Sequence, residues 1–148
     1  MKARFLRSNE RVYAQSIFGR TLPFDDILIT DTSGSQIHQL APFETPTGSN
    51  KYCLPLGRDG FRSCLAPCVQ EKFLTGLTNV WQRRHLTVHE QRIQERPNSA
   101  TGYELGMPWK AYSLEQQARM IVDWVEGGMQ SDDPRSSYIT GHVRAGVA

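Results

Sequence analysis

Ser113 is followed three residues later by Gln116, and behind this pair Leu114, Ala118, Ile121, Val122 and Val125 recur at helical spacing. A serine with glutamine three residues on is a capping box, in which each side chain satisfies the other residue's backbone N–H at a helix start. An apolar stripe of this period has to be buried against another element. Gly127-Gly128 supplies the stop. This segment therefore commits the chain to an amphipathic helix and a core. A second pattern of the same kind is carried by Phe73, Leu74, Leu77, Val80 and Trp81. It predicts a helix that begins near Pro67, a residue suited to a first turn, and runs to about Arg84. Gly76 is its weak point, since glycine costs about 1 kcal/mol relative to alanine inside a helix. With no capping role evident for Gly76, Gly76→Ala is expected to be neutral or stabilising.

Ser8 or Asn9 can cap an earlier helix ending at Phe18, with Gly19 as its terminator and Val12, Ile17 and Phe18 as its apolar face. Asp26 to Asp31 is short, rich in branched residues and followed by turn formers, so it reads as a strand. Lys51 to Leu54 reads as another, stopped by Pro55 and Gly57. The stretches from Thr32 to Asn50 and from Arg92 to Gly106 read as loops, and Tyr138 to Arg144 as a short last helix. The pattern predicts an α+β fold with about three main helices and a short β-sheet or hairpin. With 148 residues the chain has the length of one domain, residues 1–148. A net charge of +2 is too small to argue for nucleic acid or a membrane surface. No stretch is long and apolar enough to span a bilayer. The basic N-terminal residues have no apolar run behind them, so a cytoplasmic location is expected. Cys53, Cys64 and Cys68 are an odd number, which fits reduced thiols better than a disulfide framework. A Cys64–Cys68 or Cys53–Cys68 bridge stays open for an exported protein.

The string Leu74-Thr75-Gly76-Leu77-Thr78-Asn79-Val80-Trp81-Gln82 resembles the H-E-L-T-H-V-W-Q helix of bacterial zincin-like domains. Such domains occur in Vgr-related proteins of type VI secretion loci and in peptidase domains associated with contractile injection systems. The flanks are similar as well. Ala14 to Gly19, with Leu22 to Asp31, looks like the opening helix and strand of that family. Ser113 to Ala118, running on to Val122-Asp123-Trp124, looks like its closing helix. Tyr138-Ile139 and Val143 to Gly146 resemble its C-terminal end. The likeness covers nearly the whole chain in the right order, and it implies a zincin-like domain.

The departure lies at the chemistry. A zincin needs two histidines one helical turn apart on one ion, and a glutamate that activates the metal-bound water. Here the histidine positions carry Thr75 and Asn79, and the glutamate position carries Gly76. A hydroxyl and an amide are poor zinc ligands, and glycine cannot be a base. Glu115 matches the acidic residue of the closing helix that would be the third ligand, and it equally suits the dipole of a helix start. The resemblance thus implies a pseudopeptidase with no cofactor and no catalytic residue. Thr75, Gly76, Asn79 and Glu115 mark its degenerate active-site positions. The expected partner is another protein, a secretion-system effector or component. The role would be that of immunity protein, adaptor or effector piece, with delivery by a secretion system left open.

Two other constellations are weighed. His85 and His89 are four apart and could share a helical face around a metal, but they lie at the expected helix end among polar residues. A cysteine nucleophile would need His38, His85, His89 or His142 beside it, and no cysteine-hydrolase signature surrounds Cys53, Cys64 or Cys68. Either would make the chain an effector hydrolase, which is the alternative reading. Trp81, Trp109 and Trp124 are expected in the core. Arg83, Arg84, Arg92 and Arg96, interleaved with Glu90 and Glu95, read as a solvated face.

Overall fold

A computed structural model describes residues 2–33, 38–40, 51–94 and 102–148, with backbone alone for 38–40 and for Val88. The elements are β1 (Ala3–Phe5), α1 (Ser8–Phe18), β2 (Ile27–Thr30), β3 (His38–Leu40), β4 (Lys51–Pro55), α2 (Gly57–Arg62), α3 (Gln70–His85), α4 (Val88–Gln94), α5 (Leu114–Glu126) and α6 (Ser136–Tyr138). The fold is α+β, as the sequence pattern predicts. The strands form one sheet in the order β1-β2-β4-β3. β1 runs antiparallel to β2 with Arg4 opposite Ile29. β2 runs parallel to β4 with Ile29 opposite Leu54. β3 closes the other edge antiparallel to β4, with Gln39 opposite Tyr52. All four residues of β2 are buried, which is why Ile27-Leu28-Ile29 reads as a continuous apolar run rather than an alternating one.

The capping box at α5 forms as expected. Gln116 N–H donates to Ser113 Oγ at 3.2 Å, and Ser113 N–H donates to Gln116 Oε1 at 2.9 Å. Ala118, Ile121 and Val122 are buried and Val125 is packed at the margin. α3 and α5 pack against each other. Phe73, Leu74, Leu77, Val80, Trp81, Trp109 and Trp124 join one apolar cluster with Ile27, Ile29 and Leu54 of the sheet.

Several boundaries differ from the sequence reading. α3 starts at Gln70 rather than near Pro67, because residues 64–69 are taken up by turns that bring Cys64 inside. α1 is capped by neither Ser8 nor Asn9. Its cap is Arg7, whose N–H donates at 2.9 Å to the carboxylate of Glu10. β1 and α2 arise where no element was expected. β3 lies inside the presumed loop, of which residues 34–37 and 41–50 are outside the described residues. α4 replaces the start of the second presumed loop, and Arg96 lies outside the described residues. The last helix is short and opens into a wide π-type turn, Ile139–Val143.

That wide turn leaves the Val143 carbonyl free to accept twice, from Trp81 Nε1 at 3.0 Å and from Thr21 Oγ1 at 2.8 Å. Next to it Arg144 donates to the carbonyls of Ile17 and Ser16 at the end of α1. The C-terminal segment therefore ties the end of α1 to α3.

Gly76 departs most from expectation. A Cβ built on it would lie 2.9 Å from Leu54 Cδ2 and 3.4 Å from Cδ1. Leu54 is fully buried in β4, so its methyls have little room to move. Glycine here lets α3 approach the sheet, a close approach that the sequence reading did not foresee and that sets a steric cost against the helix propensity of alanine.

Candidate functional site

α3 holds Thr75 and Asn79 one turn apart, both half-buried, with Gly76 turned into the sheet. Two contacts fix α5 against α3, antiparallel. At one end Arg119 Nη1 meets Glu71 Oε1 at 2.9 Å. At the other, Gln82 Nε2 donates to the Leu114 carbonyl and to Gln117 Oε1, each at 3.0 Å. Gln117 in turn donates to the Trp109 carbonyl at 3.0 Å. Thr75 and Asn79 thus fall between the two clamps along α3. Glu115, exposed in the first turn of α5, follows the residue that Gln82 holds, so it sits toward the Asn79 end. α3 carries Thr75 and Asn79 half-buried, while Gly76 faces the core and offers no side chain, with Leu54 where one would stand. Among the described residues no group of three or more histidine, cysteine and carboxylate side chains converges as a metal site would require.

The alternative constellations are placed apart. His85 is the last residue of α3, and His89 belongs to α4, beyond the extended residue Leu86. The two do not share a helix. His85 lies over Trp81 at 4.9 Å, and its Nε2 is 2.7 Å from the Thr21 carbonyl. His142 stacks on Trp109 at 5.7 Å, with Nδ1 3.0 Å from the Val147 carbonyl. The side chain of His38 lies outside the described residues.

All three cysteines are thiols; Cys53 and Cys64 are buried and Cys68 is exposed. Burial and the nearby Glu10 charge push the Cys64 thiol up to about 12, against the opposite pull of Arg4. A thiol held so high is not a nucleophile at neutral pH.

Two polar networks escaped the sequence reading. Glu10 is 1% exposed. It takes a two-pronged contact from Arg4 at 2.7 and 2.9 Å and N–H bonds from Arg7 at 2.9 Å and Cys64 at 2.8 Å. Burial alone would raise its carboxyl, but Arg4 and the two backbone donors outweigh that and hold it at about 2. The other network surrounds Asp123. It accepts from Tyr103 Oη at 2.6 Å and Arg119 Nε at 2.8 Å, and Arg135 approaches at 3.7 Å. Burial works to raise the Asp123 carboxyl, and Tyr103, Arg119 and Arg135 together bring it below its ordinary range. Beside it lies an open depression lined by Gly102, Tyr103, Glu104, Leu105, Arg119 and Asp123. The spacing of Arg7 and Glu10 was a usable signal for the first network. In the second, Arg119 and Asp123 carry a local i,i+4 spacing on α5, while Tyr103 and Arg135 join from other segments with no such signal.

No family model, no curated protein and no solved structure matches this chain.

Proposed function

We propose that this chain is a zincin-like domain that has given up zinc chemistry and acts by binding another protein. The role we assign is that of immunity protein, adaptor or non-catalytic effector component in bacterial secretion and competition. The observation that carries this reading is the state of position 76. The residue aligned with the catalytic glutamate is a glycine, and Leu54 stands 2.9 Å from where its Cβ would be. A glutamate there would have to displace a buried leucine and bring a carboxylate into apolar surroundings. Thr75 and Asn79, aligned with the two histidines, bring no good zinc ligand to the same turn of α3. What is left on α3 is a half-buried polar pair, Thr75 and Asn79, with the exposed Glu115 in the first turn of the helix packed beside it. Hydrogen-bonding groups held on two packed helices suit recognition of a protein surface better than bond cleavage.

The test has two arms. Elemental analysis of protein purified without chelator should find no stoichiometric zinc. Affinity capture with the products of neighbouring genes should recover a partner from the parent, and less of it from a folded Asn79→Arg variant. About one zinc per chain that survives replacement of His85 and His89 would overturn the reading, as would capture that is indifferent to Asn79→Arg and Glu115→Arg.

A further inference from the structure

No further inference is drawn: the strongest candidate, the open depression beside α5 lined by Tyr103, Glu104, Leu105, Arg119 and Asp123, has its arginine and aspartate bonded to each other, and nothing in the structure shows what covers it.

Discussion

Replacing Gly76 with alanine sets two opposite effects against each other at one position. Removing glycine from a helix interior gains about 1 kcal/mol. The new methyl meets Leu54 Cδ2 at 2.9 Å, Cδ1 at 3.4 Å and Cγ at 3.6 Å. Forcing a methyl into a packed core costs about 1–3 kcal/mol. The net expectation is a loss of about 1 kcal/mol, or roughly 2–4 °C in Tm for a chain of this size. Leu54→Ala alone should cost about 2–5 kcal/mol, since it opens a cavity under α3. In the double variant the alanine methyl occupies part of that cavity. The pair should therefore be more stable than the sum of the singles by about 1 kcal/mol. Urea denaturation of the four proteins closes the cycle, with circular dichroism as the signal. If Gly76→Ala stabilises the protein, and the two changes add to within about 0.5 kcal/mol, the close approach of α3 to β4 is not what holds glycine at this position.

Acid should act through Glu10. Its folded value of about 2 lies below the ordinary 4.5, so its contribution is full above that value and is lost as pH falls toward 2. The contribution is about 3 kcal/mol, and Glu10→Gln should flatten stability between those pH values in denaturant titrations. The double change Thr75→His/Asn79→His should bind zinc by calorimetry where the parent does not. Adding Glu115→Ala should weaken that binding about tenfold or more, and a folded double variant without zinc affinity would refute the alignment of α3 with the zincin helix. Glutamate at position 76 is left out of that design because of Leu54. Ser113→Ala should lose about 1 kcal/mol of the α5 cap, read from thermal melts. Iodoacetamide at mildly alkaline pH should label Cys68 in the native protein and spare Cys64 until it unfolds, by peptide mass mapping; early labelling of Cys64 would contradict its burial.

What could be read from the sequence was whatever is decided within a few residues. The α5 cap and stripe, the apolar face of α3, the branched core of β2 and the short run of β4 are local patterns and each forms, although α3 begins three residues after Pro67 and β4 includes Pro55, the residue expected to stop it. Thr87 and Glu90 repeat the Ser113–Gln116 spacing and cap α4 in the same way, with Glu90 N–H donating to Thr87 Oγ1 at 3.1 Å. The cap spacing is there in the sequence, but the segment is too polar to suggest a helix by periodicity. β1 and β3 were not legible: each has only three residues, too few for a strand pattern to show. Gly76 shows the limit most sharply. Its spacing on α3 says which way it faces, but only the position of Leu54 on a strand 22 residues earlier says what it meets. For the candidate site, the residue types were legible and the packing of position 76 on Leu54 was not.

The clamp made by the Val143 carbonyl and Arg144 has a consequence for how the chain comes off the ribosome. Thr21 waits for a partner 122 residues later, and Ile17 for one 127 residues later. Until then the last carbonyls of α1 and the indole N–H of Trp81 lack the acceptors and donors that the finished fold gives them. Contacts this distant in sequence slow folding, because the intervening loop must close before they can form. A nascent chain arrested before Val143 should therefore hold its sheet and its α3–α5 pairing only loosely. It should remain protease-sensitive near α1, whereas a chain that includes Val143 and Arg144 and is free to fold should be resistant there.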